Sequence, residues 1–130
     1  MTDLSPRDLL ALLSAADFTS AVSDSGDLTL TFGAWTIATR EAGWRILDEA
    51  TLVTGSADPN ASATLRALTL GRITGLQPLS KFDLAFRCAP KWMIEFYALS
   101  PVTAEICTIT GPGVHATYTV ADSLVIARAN

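Results

Sequence analysis

The sequence predicts a strand-rich α+β fold: one domain built from two helix-plus-antiparallel-meander halves. Three observations lead there. Short apolar runs alternate with polar residues at the period of two that marks half-buried strands. Turn residues divide these runs at short intervals. Helix-start grammar appears twice, once ahead of each series of strands.

The first helix start lies in "LSPRDLLALLSAADF". Ser5 is a good N-cap, and Pro6 fits the first helical position, where its missing N–H costs nothing. Asp8 stands where a capping-box partner belongs and complements the helix dipole. Leu4 and Leu9 take the positions of a hydrophobic staple. A helix is expected from about 6 to 16.

Leu28, Leu30 and Phe32 then alternate with Thr29 and Thr31, after the turn chemistry of "DSGD" at 24–27. Trp35 and Ile37 start the next strand. "EAG" at 41–43 turns the chain, and Trp44 and Ile46 begin a third strand of the same meander. The stretch 47–58 reads as a loop. In "SADPNASATLRALTLG", Asp58 is the expected cap of a second helix, Pro59 its first residue and Gly71 its stop. Strands follow in "RITGLQPL", "FDLAFRC", "WMIEFYA", "AEICTIT", "VHATYTV" and "LVIARA", divided by "LSK", "APK", "LSPVT", "GPG" and "ADS".

The halves, 5–55 and 58–128, read as an internal repeat. Residues 17–32 lie over 71–86 without a gap, at an offset of 54. Leu28 then falls on Phe82, Leu30 on Leu84 and Phe32 on Phe86. With three residues inserted, Trp35 meets Trp92 and Ile37 meets Ile94. A half of about 60 residues is marginal alone, so both are expected to share one core across residues 1–130.

Composition narrows the function classes. Charged residues make up 17% of the chain, below the usual ~25%, while 49% is apolar. Such a chain builds a core and leaves apolar surface to meet a partner. The longest unbroken apolar run, "LLALL" at 9–13, is far short of the ~20 residues of a membrane-spanning helix. Asp3 and Asp8 sit where a signal peptide would be positive, so the expected compartment is the cytoplasm. The net charge of −4 divides into −6 over residues 1–60 and +2 over 61–130. There is no basic run interleaved with aromatics, so nucleic acid is not an expected partner.

The side chains that could carry chemistry are few. His115 is the single histidine. It shares a strand face with Thr117 and Thr119, without a G-x-S-x-G motif or a second ligand, and reads as a solvated strand residue. Cys88 and Cys107 lack the neighbouring base or helix N-terminus that depresses a thiol pKa, and read as small buried residues with free thiols. "GPG" at 111–113 is a hairpin turn, because no Lys-Ser/Thr or helix follows. In "FDLAFRCAPKWMIEFY", Phe82, Leu84, Phe86, Ile94 and Phe96 take the inward parity. Asp83, Arg87 and Glu95 take the outward parity, as an exposed cross-strand ion cluster. Catalysis through Asp83, Glu95 or His115 is the least favoured reading; no cofactor or metal is expected.

The order "L-x-L-x-F … W-x-I … GWRI … L-x-x-L-x-L-G-R-I-T-G-L … FDLAF … W-x-I-E-F … ICTITGPG" resembles a family of small uncharacterised bacterial domains of duplicated-meander type, over residues 18 to 114. Ile106-Cys107-Thr108-Ile109 stands where that family has a tryptophan, so the closing motif departs from the pattern. The family brings no catalytic residues to this chain. In size and style it is similar to immunity proteins that neutralise polymorphic bacterial toxins. The resemblance therefore implies a non-enzymatic protein that binds a cationic toxin enzyme. The alternative is a domain that holds a small ligand between its meanders or homo-oligomerises, and monomer against homodimer stays open. The expected interface is Trp44 as a partly exposed aromatic anchor, ringed by Asp24, Asp27, Glu41, Asp48 and Glu49.

Overall fold

The computed structural model describes residues 4–24, 26–100 and 105–128. Asp3 and the 101–103 part of the expected "LSPVT" divider lie outside the described residues, as does Ser25 of "DSGD". Helix α1 (Pro6–Ser14) starts as its sequence dictates. The Ser5 hydroxyl accepts from the Asp8 N–H at 3.1 Å, and the Asp8 carboxylate accepts from the Ser5 N–H at 3.2 Å. These bonds hold the Asp8 carboxyl below its ordinary pKa. Leu9 and Leu13, four residues apart on one helix face, are fully buried.

Eleven strands follow in the described residues: β1 (Phe18–Asp24), β2 (Asp27–Phe32), β3 (Trp35–Thr39), β4 (Gly43–Asp48), β5 (Thr51–Gly55), β6 (Ile73–Ser80), β7 (Asp83–Cys88), β8 (Trp92–Tyr97), β9 (Glu105–Gly111), β10 (Val114–Thr119) and β11 (Ser123–Arg128). Helix α2 (Ala61–Arg66) stands between β5 and β6. Two antiparallel sheets result, in the orders β1-β2-β3-β9-β10-β11 and β5-β4-β8-β7-β6. They enclose one hydrophobic cluster containing Leu30, Phe32, Ile37, Trp44, Ile46, Phe86, Ile94, Phe96, Ile109 and Tyr118. Phe86 and Phe96 meet edge to face, with ring centroids 5.7 Å apart. Burying such rings supplies the main driving force for the fold.

The element following β3 departs from expectation. Residues 40–42 do not close a third meander strand; they carry the chain to the other sheet. β3 pairs with β9, whereas β4 pairs with β8 and β5. A hairpin and a sheet-to-sheet crossing share the same signature, two period-two runs and a short link, so periodicity cannot separate them. The stretch 51–55, expected to be loop, is strand β5.

The second helix is also shorter than expected. Asp58 is not its cap: its carboxylate accepts from the Asn60 N–H at 2.8 Å and from the Thr54 hydroxyl at 2.8 Å. The chain enters the helix only at Ala61. Gly71 does not stop it either. Its N–H donates to the Ala89 carbonyl at 2.8 Å, and a Cβ there would lie 2.2 Å from that oxygen. Gly71 is present because two backbones approach closely.

Both cysteines are free and buried. Burial pushes the Cys88 thiol up to about 12, and burial with the nearby Glu105 charge pushes Cys107 further still. Unfolding returns both to the ordinary range, so above about pH 9 the unfolded chain loses protons that the folded chain keeps. The stability these thiols contribute is therefore complete below that pH and is lost as pH rises towards the folded values. Urea midpoints are expected to fall between about pH 9 and 11, and thiol reagents at pH 8 to label both cysteines only after unfolding. Rapid labelling of the folded protein would contradict the burial of either thiol.

Candidate functional site

The turns and links of the sandwich divide into two ends, and the charges divide with them. At one end lie the β1–β2 turn, the β3–β4 link, the segment after β5, the β6–β7 turn, the exit of β8, the start of β9 and the β10–β11 turn. Three contacts draw this end together, the first and last of them across the two sheets and the second between β3 and β9 of one sheet. The Trp44 indole N–H donates to the Gly26 carbonyl at 2.9 Å, the Thr39 hydroxyl to the Ile106 carbonyl at 2.7 Å, and the Tyr118 hydroxyl to the Ser80 carbonyl at 2.6 Å.

This end carries seven carboxylates, Asp24, Asp27, Glu41, Asp58, Asp83, Glu105 and Asp122, against two cations, Arg40 and Lys81. At the opposite end Arg7, Arg72, Arg87, Lys91 and Arg128 stand against Asp8, Asp17, Asp48 and Glu49. Two ion pairs there are closed on the protein itself: Arg72–Asp17 and Lys91–Glu49, each at 2.8 Å.

Two adjoining depressions open at the acidic end. The first, of about 350 Å³, is lined by Asp27, Arg40, Glu41, Ser56 and Leu99, among others. The second, of about 240 Å³, is lined by Thr39, Arg40, Glu41, Glu105 and Ile106. Arg40 and Glu41 belong to both. Leu99 stands at the rim of the first with 65% of its surface exposed. The β1–β2 turn can bend this tightly because Gly26 takes a φ of +87°.

The expected acidic ring is thus divided. Asp24, Asp27 and Glu41 share one end. Asp48 and Glu49 lie at the other, with Asp48 about 13 Å along β4 from Trp44 at ~3.3 Å per residue. Trp44 is no partly exposed anchor; it is fully buried, beneath the β1–β2 turn. Its indole N–H finds a turn carbonyl, so the polar edge of the ring needs no water. Alternate turns do emerge on one end, as a meander requires, but β4 runs away from that end and takes Asp48 with it. Asp58, Asp83, Glu105 and Asp122 were missed because the crossing of the chain between sheets decides which turns meet.

The cross-strand cluster of Asp83, Arg87 and Glu95 is also corrected. Glu95 is buried, with 5% of its surface exposed. Its Oε2 accepts from Arg45 Nε at 2.9 Å and pairs with a terminal guanidinium nitrogen at 2.8 Å. Asp83 instead accepts from the Ser80 hydroxyl at 3.0 Å, and Phe82 is a half-buried turn residue ahead of β7. The reactive side chains of "FDLAFRCAPKWMIEFY" are therefore dispersed. His115 is exposed, as expected, with Thr110 and Thr117 hydroxyls each 3.3 Å from a ring nitrogen. Between the sheets, where a ligand was the alternative expectation, stand the buried rings of Phe32, Trp44, Phe86, Phe96 and Tyr118.

Among the described residues, no group of three or more His, Cys, Asp or Glu is set to hold a metal ion. No described helix is long and apolar enough to cross a membrane. The chain matches no family model, no curated protein and no solved structure among those compared.

Proposed function

We propose that this chain is a non-enzymatic binding protein whose acidic end docks on a cationic protein, in the manner of an immunity protein or antitoxin that neutralises a bacterial toxin. The gathering of seven carboxylates at one end of the sandwich, with Asp27 and Glu41 beside the exposed Leu99, carries this proposal. Interfaces join an apolar centre to a polar rim, and complementary charge chiefly accelerates encounter. Leu99 takes the part first given to Trp44, and Asp24, Asp27 and Glu41 keep theirs. The cytoplasm is the proposed compartment, which two buried free thiols suit.

The two halves are further proposed to be copies of one unit. In the first sheet a meander β1-β2-β3 is extended by β9, β10 and β11; in the second a meander β6-β7-β8 is extended by β4 and β5. Trp35 and Trp92 each open the third strand of their meander, on the inward parity. The hairpin registers differ, however. Trp35 stands opposite Phe32, whereas Trp92 stands opposite Cys88 and not Phe86. The shift of two residues keeps every inward side chain inward.

Co-expression with the product of the adjacent gene tests the binding proposal. The wild-type chain is expected to copurify with that product and to relieve any growth arrest it causes. Asp27→Lys/Glu41→Lys is expected to lose both effects while remaining folded, because exposed turn charges contribute little stability. Full neutralisation by that variant would remove the acidic end from the interface.

A further inference from the structure

The four sheet edges are not equivalent. Helix α2 packs along β1 and β5, and the Ser62 hydroxyl donates to the Ser23 carbonyl at 3.2 Å. Helix α1 packs along β6, which also carries Pro78. Each of these three edge strands has a register irregularity in its ladder, between Phe18 and Ser20 in β1, beside Ile46 and Leu47 in the β4–β5 pair, and at two places in β6. Covering helices, prolines and bulges are the devices by which proteins blunt an open edge. β11 has none of them. Its ladder with β10 runs unbroken from Ser123 to Arg128, and β10 is the element packed along it among the described residues. From Ser123 to Ala127 it carries no charge, proline or glycine, and Val125 is 51% exposed.

We propose that β11 is a homodimer edge, on which a second copy of this chain adds its own β11 antiparallel about a two-fold axis at Val125. Charge selects both the occupant and the register. For the two sheets to continue with their faces aligned, residues of equal parity must stand opposite. Centring on Val125 sets Leu124 against Ile126 of the second copy on the inner face, and Ser123 against Ala127 on the outer. It also brings Arg128 of the second copy beside the turn that precedes β11, where Asp122 stands within reach of its long side chain, twice by symmetry. Centring on Leu124 or Ile126 keeps parity but loses both ion pairs. The wider charge distribution agrees, because antiparallel pairing lays the acidic end of one copy beside the basic end of the other. Within its own chain Arg128 lies near enough to Asp8 to lower that carboxyl, so the pairing adds a second acidic neighbour. The dimer would join two six-stranded sheets into one of twelve and leave an acidic end at each pole. Asp122 belongs to both surfaces, and the dimer is read in the absence of any partner of the acidic end.

One strand pair buries little surface, so the dimer is expected to be weak and concentration-dependent. Sedimentation velocity of the full chain at low salt, over roughly 10 to 500 µM, reads it directly. The expected result is a rise in the weight-average sedimentation coefficient with concentration. Asp122→Arg and Arg128→Asp, each placing like charges beside one another twice, are expected to weaken the dimer about tenfold. The double variant Asp122→Arg/Arg128→Asp is expected to restore it. Val125→Lys, at an exposed position, is expected to abolish it with the far-UV circular dichroism unchanged. A monomer throughout the range overturns the proposal. So does a dimer indifferent to Val125→Lys, or a double variant no better than either single one.

Discussion

Trp44→Ala is expected to destabilise the protein by about 3–5 kcal/mol, the range for truncating a large aromatic in a core. Trp44 is fully buried and heads the largest side chains of the cluster. Its position at the start of β4 puts its ring under the β1–β2 turn, where the indole N–H meets the Gly26 carbonyl. Two losses therefore combine, apolar burial and the bond that ties a turn of one sheet to a strand of the other. Trp44→Phe separates them. It keeps most of the packing, and solvent can satisfy the Gly26 carbonyl at an open turn, so a cost of about 1–2 kcal/mol is expected. Urea unfolding followed by circular dichroism measures both. A cost below ~1 kcal/mol for the alanine variant would mean that the ring is not in the core. Loss of partner binding in Trp44→Ala would report unfolding, not contact.

The second large effect is an asymmetry within the Arg45–Glu95 pair. Arg45→Met is expected to cost about 2–3 kcal/mol, somewhat under the usual penalty for leaving a buried charge unpaired, because the guanidinium is itself half exposed. The side chains retain 49% and 7% of their surface, respectively. Glu95→Leu should cost less than ~1 kcal/mol, since the freed guanidinium reaches water and snorkels on its apolar stem. The double variant Arg45→Met/Glu95→Leu should return close to wild type, as buried pairs replaced by packed apolar residues often do. Urea midpoints of the three variants decide it. Equal costs for the two single changes would show that the carboxylate has more water than its position suggests.

Glu95 also shows where sequence reading stops. Outward parity on β8 was correct for it, and outward ordinarily means exposed. On this face, however, Glu95 stands between Ala85 of β7 and Arg45 of β4. The small neighbour and the long one enclose it, and neither adjacency is visible before the strand order is known. Nine of the eleven described strands fell where alternation put apolar residues, because period two is a local property, while β1 was not among the strands expected. β5 was missed because "TLVTG" follows two acids and has one fully buried residue, Thr54. The capping box at Ser5 and Asp8 was legible because its partners are three residues apart. Asp58 was misread because its carboxylate closes a turn on the Asn60 N–H and accepts from Thr54, while the helix begins only at Ala61. For the acidic end, the sequence disclosed the excess of carboxylates and the rule that alternate turns meet. It did not disclose that residues 40–42 cross between sheets. That crossing sets Glu41 between Asp27 and Glu105, and sends Asp48 and Glu49 away.

The most direct test of the acidic end is the association rate with the adjacent gene product, measured by surface plasmon resonance across a series of salt concentrations. Surface charges are screened beyond about 8–10 Å at physiological ionic strength, so steering by this end must weaken as salt rises. For the wild-type chain the rate is expected to fall steeply with salt. Asp27→Lys/Glu41→Lys should lower it about tenfold or more at low salt and flatten the dependence. Asp48→Lys/Glu49→Lys, at the opposite end of β4, should leave both rate and slope as they were. Equal slowing by the two variants, or a rate indifferent to Asp27→Lys/Glu41→Lys, would contradict a partner docked on the acidic end.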